Sequence, residues 1–321
     1  MLIAVLLLIV GLVILIKGAD IFVDSSVDVA EILKMPKMLI GLTIIAIGTA
    51  LPEITVSTIA SVSGQNSMAV GNLVGSNVFN LIAILGVCSL ISPFDVSVKK
   101  IYKNFVLSIF FATIIMLLFI FGGRYINRLF SSILIIFFLS YIGYNIYESR
   151  KENLKENLKE NLDETIETKN TVKNKRNVSK NILLIILGIV MVVGGAQVTV
   201  NNAVTIAELL GVQERVIGLT ILAIGTSLPE FVTSIVAFKK GESDLAMGNI
   251  IGSNIMNLTF VLGLVGVINP IAVEPEYIFD LFVLIFGSIV TLFFIFTGKR
   301  VVRPEGAFLL AIYVGYLYFL I

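Results

Sequence analysis

Apolar runs of about 20 residues recur along the whole chain, separated by short polar breaks. About 20 apolar residues in a helix cross the ~30 Å hydrocarbon core of a bilayer. The pattern predicts ten such helices. The first five run from Leu2 into the low 30s, then over about 37–62, 67–91, 102–121 and 129–147. The second five cover about 181–210, 214–238, 243–268, 277–297 and 305–321. Between the two sets, residues 149–180 are charged and of low complexity, opening with three KENL units. This connector cannot enter a bilayer; it either prolongs a helix, which Glu and Lys favour, or stays disordered. The expected fold is therefore an all-α polytopic membrane protein. Its units are a first five-helix repeat at 1–148, the connector at 149–180 and a second five-helix repeat at 181–321.

The two halves repeat each other. Residues 40–53 read IGLTIIAIGTALPE and residues 217–230 read IGLTILAIGTSLPE, with twelve of fourteen positions identical at an offset of 177. A second pair follows at the same offset, GNLVGSNVFN at 71–80 and GNIIGSNIMN at 248–257. Lys and Arg concentrate after the odd-numbered helices: Lys34 and Lys37, Lys99, Lys100 and Lys103, Lys239 and Lys240, Lys299, Arg300 and Arg303, and nine more in the connector. The loops after even-numbered helices hold only Arg124, Arg128 and Arg215. The positive-inside rule then puts the connector in the cytoplasm and both termini outside a cell membrane. Five is odd, so the halves would enter from opposite sides, as in many secondary transporters whose sites lie at the repeat interface near the midplane.

Composition narrows the chemistry. Hydrophobic residues make up 57% of the 321 residues and charged residues 14%, against about 25% in soluble domains. A net charge of +1 on a chain of membrane spans gives no basis for a nucleic-acid partner. There is no histidine, which removes a common metal ligand, and the single Cys88 rules out an intrachain disulfide. The apolar N-terminus lacks the basic region and cleavage site of a signal peptide and is taken as the first span. Asp20, Asp24 and Asp28 share one helix face, either a polar helix end or the lining of an aqueous path. Gln197, Asn201 and Thr205 stand at the equivalent positions.

The chemistry centres on Glu53 and Glu230. An ionised carboxylate in hydrocarbon costs at least a few kcal/mol, about 2.5–3.5 on insertion scales, and two of them at related positions repel. A bound cation removes both penalties. Pro52 and Pro229 have no N–H and crowd the carbonyls of Gly48 and Gly225, so each helix should kink and free carbonyls in its AIGT segment. Thr49 and Thr226 lie one turn before each Glu. Ala46 and Ala223, one turn further back, are small enough for close approach to their carbonyls. Ser76 with Asn80, and Ser253 with Asn257, are i, i+4 pairs from the second motif. The donors are all oxygen, which suits hard cations such as Ca²⁺ and Na⁺. One Ca²⁺, or several Na⁺, would balance the two carboxylates, and competition for shared ligands is a basis for exchange. A channel is a reading from another class. An enzyme is not expected, because no nucleophile or activating base accompanies the carboxylates, and no cofactor is called for.

GTALPE and GTSLPE, with GSNVFN and GSNIMN, resemble the two alpha-repeats of the cation/calcium exchanger superfamily, closest to the sodium/calcium exchangers. The resemblance covers both halves. It implies ten helices and electrogenic exchange of three Na⁺ for one Ca²⁺. It also implies that Thr49, Glu53, Thr226 and Glu230 surround Ca²⁺, while Ala46, Ser76, Asn80, Ala223, Ser253 and Asn257 complete flanking Na⁺ sites and a central site. The first and sixth spans would slide across the core to alternate access, and the protein would act as a monomer in the lipid bilayer. The connector is too short for the large regulatory domains of animal exchangers, which fits a prokaryotic type. Potassium-dependent relatives carry Asp where this chain has Asn257, and proton/calcium exchangers show a GNAxE-like pattern in place of GTxLPE. Both departures favour Na⁺/Ca²⁺ exchange over the H⁺/Ca²⁺ or K⁺-dependent alternatives.

Overall fold

A computed structural model describes residues 1–91, 93–95, 98–121, 125–163, 178–211, 223–272, 276–298 and 300–320. The start of the seventh predicted span (214–222), the middle of the connector, Arg124, Arg215 and Lys299 lie outside the described residues. Helices follow the apolar runs closely. They are α1 (Leu2–Ile32), α2 (Lys37–Thr49), α3 (Leu51–Val62), α4 (Asn66–Ile91), α5 (Val98–Phe121) and α6 (Arg128–Asp163) in the first half. The second half has α7 (Val178–Leu209), α8 (Ala223–Thr226), α9 (Leu228–Lys239), α10 (Ser243–Ile268), α11 (Glu276–Gly298) and α12 (Arg303–Leu320). Among the described residues, seven of these are long and apolar enough to cross a bilayer, and the bent pair α2–α3 makes an eighth. Helix α6 runs on to Asp163, so the first part of the connector prolongs a helix.

The halves match in their turns as well as their helices. Gly64 and Gly241, 177 apart, end α3 and α9 in the left-handed region at φ +76° and +78°. In both, the next N–H reaches back to a helix carbonyl, Gln65 to Ala60 at 2.8 Å and Glu242 to Ala237 at 2.9 Å. This is the hydrogen-bonded stop that glycine permits after a helix.

The centre of the molecule is α4 and α10. Of their most apolar windows, 78% and 83% is buried, against 22–39% for α1, α5, α6, α7 and α11. The outer helices turn Leu, Ile, Val and Phe outward, among them Leu6, Ile136, Leu187, Phe282 and Phe293. That is the inverse of a soluble surface and suits a lipid solvent. Helices α1 and α7 form a pair of their own. A Cβ on Gly195 would stand 2.5 Å from the Leu15 nitrogen and 2.9 Å from the Gly11 carbonyl oxygen, so the backbones touch there. Small residues that let backbones approach are the usual means of joining helices in lipid.

Two short antiparallel pairs join the halves outside the helices. Strand β1 (Phe94–Asp95) pairs with β4 (Arg300–Val301), and β2 (Tyr125–Ile126) pairs with β3 (Ile271–Ala272). In register, Phe94 faces Val301 and Ile126 faces Ile271. Each pair takes one strand from either half.

Candidate cation site

The site is built from two broken helices and two π-turns. Helices α2 and α3 meet at Ala50 with a bend of 50°. Pro52 sits in the first turn of α3, where its missing N–H costs no helical bond of α3 but leaves the Gly48 carbonyl without its usual donor. Ala50 N–H still reaches Ala46 O at 3.1 Å, and Ile54 N–H reaches Ala50 O at 3.0 Å. The second half repeats the break at Ser227, between α8 and α9, with Phe231 N–H on Ser227 O at 3.1 Å. Both glutamates therefore lie in the first turn of a new helix, where N–H groups lack helical partners and negative charge is favoured.

The π-turns were not anticipated from the sequence. Within α4, Phe79–Ile84 is wound as a π-helix, and within α10 so is Asn257–Val261. A third, Gly41–Ile45, lies in α2 just before Ala46. A π-turn withdraws a carbonyl from the i→i+4 ladder and often marks a functional position. Here two of the turns begin at or beside Asn80 and Asn257, and the third ends beside the AIGT segment.

Glu53 and Glu230 are both 0% exposed. They are close enough to interact by charge, so two ionised carboxylates would repel. Each lies against the other half. Ser227 Oγ donates to Glu53 Oε1 at 2.9 Å, and the Thr49 hydroxyl is within electrostatic reach of Glu230, as Ser76 is of Glu53. Ser227 marks one of the two differences between the signature copies. Ala50 stands at the equivalent position and has no hydroxyl, so Glu230 keeps both carboxylate oxygens without a hydrogen-bond partner.

Ala46, Thr49, Ser76, Asn80, Ser253 and Asn257 are all buried, and Thr226 is half-buried. Ala223 begins α8; its side chain is outside the described residues. Among the described residues, fourteen buried side-chain nitrogen or oxygen atoms lack a hydrogen-bond partner. Eight belong to six of the expected ligands: Glu53 Oε2, both Glu230 oxygens, Ser76 Oγ, Ser253 Oγ, Asn257 Oδ1 and both amide atoms of Asn80. Buried polar atoms are nearly always satisfied, so a concentration of unsatisfied oxygens calls for a partner, and a cation supplies one. No group of three or more His, Cys, Asp and Glu placed to hold a metal ion occurs among the described residues.

Four asparagines escaped the sequence reading. Asn77 and Asn254 exchange bonds across the halves, Asn254 Nδ2 to Asn77 O at 3.2 Å and Asn77 Nδ2 to Asn254 O at 3.5 Å. Asn257 Nδ2 donates to Asn77 Oδ1 at 3.2 Å, which commits its donor end and leaves its Oδ1 as the unpaired acceptor. Asn72 and Asn249 contact the signature threonines, Thr226 Oγ1 to Asn72 Oδ1 and Thr49 Oγ1 to Asn249 Oδ1, both 3.1 Å. The signal was present: each is polar, within an apolar helix, and repeated at the same offset. By contrast, the acidic face of α1 makes external ties. Lys240 Nζ meets Asp20 at 2.8 Å and Asp24 at 2.6 Å, and Asn181 donates to Asp28 at 3.4 Å.

Comparison with known proteins agrees with this geometry. The family profile described as sodium/calcium exchanger protein matches residues 3–147 and 180–321. The chain is 36% identical over 341 residues to the sodium/calcium exchanger MaX1 of Methanosarcina acetivorans, covering 97% of each. It is 35% identical over 324 residues to the putative antiporter CaxA of Alkalimonas amylolytica, covering 100% of this chain and 99% of that one. Among solved structures, the sodium-calcium exchanger NCX_Mj soaked with zero Na⁺ and Ca²⁺ superposes with a TM-score of 0.84 at 28% identity, over 100% of this chain and 99% of that one. With a matching profile over both halves and full-length relatives above 30% identity, the chain belongs to the sodium/calcium exchanger family.

Proposed function

We propose that the protein is a secondary active antiporter that exchanges Na⁺ for Ca²⁺ across the cell membrane. The observation that carries this is the set of eight unpartnered polar atoms, three of them on the two buried carboxylates and five on Ser76, Asn80, Ser253 and Asn257. Glu53 and Glu230 supply two negative charges, which one Ca²⁺ neutralises. Two Na⁺ neutralise them equally, and a third leaves a net positive charge, which makes exchange of three Na⁺ for one Ca²⁺ electrogenic. Thr49 and Thr226 add hydroxyl and carbonyl oxygens to the carboxylates at the Ca²⁺ position. Ala46 and Ala223 through their carbonyls, and Ser76, Asn80, Ser253 and Asn257 through their side chains, serve flanking Na⁺ positions. Ca²⁺ and Na⁺ share the glutamates, so one cargo excludes the other.

Ten spans in two inverted five-helix repeats, flanking a cytoplasmic connector at 149–180 with both termini outside, supply the architecture. The reciprocal Asn77–Asn254 bonds support a two-fold relation between the halves. The paired helices α1 and α7, packed backbone to backbone and largely lipid-facing, are the element that slides to alternate access. The working unit is the monomer.

The test is flux in proteoliposomes. An outward Na⁺ gradient drives ⁴⁵Ca²⁺ uptake, equally well with or without K⁺. Uptake that ignores Na⁺ overturns the proposal, and uptake driven by a pH gradient without Na⁺ assigns H⁺ as the coupling ion.

A further inference from the structure

Two asparagines that are not among the proposed ligands form matching clamps. Asn249 on α10 accepts from Thr49 Oγ1 at 3.1 Å and donates through Nδ2 to Ser234 Oγ at 3.1 Å. Asn72 on α4 accepts from Thr226 Oγ1 at 3.1 Å and donates to Ser57 Oγ at 3.0 Å. Ser57 and Ser234 stand four residues after Glu53 and Glu230, one turn along the same helices. Each asparagine thus ties the signature threonine of one half to the glutamate-bearing helix of the other.

The direction of these bonds has a chemical consequence. A threonine hydroxyl has one hydrogen and two lone pairs, and it coordinates a cation only through a lone pair. The Thr49 hydrogen has rival acceptors, the Ile45 carbonyl at 3.1 Å, the Ala46 carbonyl at 3.5 Å and the nearby Glu230 carboxylate. Donation to Glu230 would turn the hydrogen into the site. Donation to Ala46 would occupy a carbonyl assigned to a cation. Asn249 Oδ1 is an acceptor only, so at 3.1 Å it can take this hydrogen, while Nδ2 is engaged by Ser234 Oγ. Outer partners that orient first ligands commonly change metal affinity by 10–100-fold when removed.

We propose that Asn72 and Asn249 are positioning residues that draw the Thr226 and Thr49 hydrogens away from the cation, presenting the hydroxyl lone pairs to it. This rests on the exchanger reading above.

The test is equilibrium Ca²⁺ binding to the purified full-length protein by calorimetry, with melting measured in chelator. Asn249→Leu should weaken Ca²⁺ binding about tenfold, the effect of one lost oriented ligand. Thr49→Val should weaken it similarly. The double variant should be no weaker than Thr49→Val, because the asparagine acts only through that hydroxyl. Asn249→Asp keeps the acceptor and should bind at least as tightly as wild type. Losses that add in the double variant, or an Asn249→Asp loss equal to that of Asn249→Leu, overturn the inference. If Asn249→Leu does not fold, the Asp variant and the matching Asn72→Leu and Thr226→Val cycle decide it. Wild-type protein that binds no Ca²⁺ defeats the exchanger reading itself; wild-type binding with unaffected variants defeats only the positioning role.

Discussion

Glu230→Gln isolates the charge of the site with little change in its shape. The substitution keeps side-chain volume and one carbonyl oxygen, and removes one of two negative charges. Both Glu230 oxygens lack a protein hydrogen bond, so the change breaks none. With Glu53 alone, a bound Ca²⁺ leaves one uncompensated positive charge at membrane depth. Insertion scales put such a charge at about 2.5–3.5 kcal/mol at least. At 1.4 kcal/mol per decade, Ca²⁺ affinity should fall about a hundredfold or more. The ion-free protein should respond in the other direction. The repulsion between Glu53 and Glu230 disappears, so its melting midpoint in chelator should stay level or rise, the usual trade between a strained site and stability. Calorimetric Ca²⁺ titration and Na⁺-driven ⁴⁵Ca²⁺ uptake read the first effect, and thermal unfolding in detergent reads the second. A Glu230→Gln variant with Ca²⁺ affinity within about threefold of wild type would refute the charge argument.

Two further outcomes follow from the packing and the surface. Gly195→Ala should lower the melting midpoint by about 1–3 kcal/mol of stability, because its Cβ would meet the Leu15 and Gly11 backbones at 2.5 and 2.9 Å, while Gly194→Ala, with nothing within 4 Å, should not; equal melting of the two variants would contradict the close α1–α7 contact. Lys240→Gln should cost no more than ~0.5 kcal/mol after solvent screening and lose its effect in high salt, since its partners Asp20 and Asp24 are exposed. Partial burial disfavours the Lys240 charge, but its hydrogen bonds to Asp20 and Asp24 outweigh that and raise its pKa above 10.5. The wild-type advantage should therefore be complete below pH 10.5 and vanish as pH rises through the raised value, and an advantage that grew at alkaline pH would reverse the assignment.

Helix positions were legible in the sequence because lipid imposes a simple rule on apolar length. The third and eighth predicted spans end where the hydropathy ends, at Ile91 and Ile268 for α4 and α10. The Pro52 break was legible because proline has no N–H to give. The six residues with unpartnered polar atoms at the candidate site could be picked out through their repetition at 177 residues. The π-turns were not, since no local residue type sets that register and it depends on what the freed carbonyls meet. Asn72, Asn77, Asn249 and Asn254 were visible as repeated polar residues, but their partners are roughly half a chain away or one helix over. The Ala50/Ser227 difference could be read off the two signatures; that it makes the glutamates unequal became clear only when Ser227 was found against Glu53.

The crossed strand pairs make the two halves depend on each other. Because β1 closes with β4 and β2 with β3, both strand pairs among the described residues are handshakes between halves. Either half taken alone would leave its two strands without their partners. A cut within the connector should therefore leave the halves joined, because both strand pairs and the Asn77–Asn254 bonds still tie one to the other.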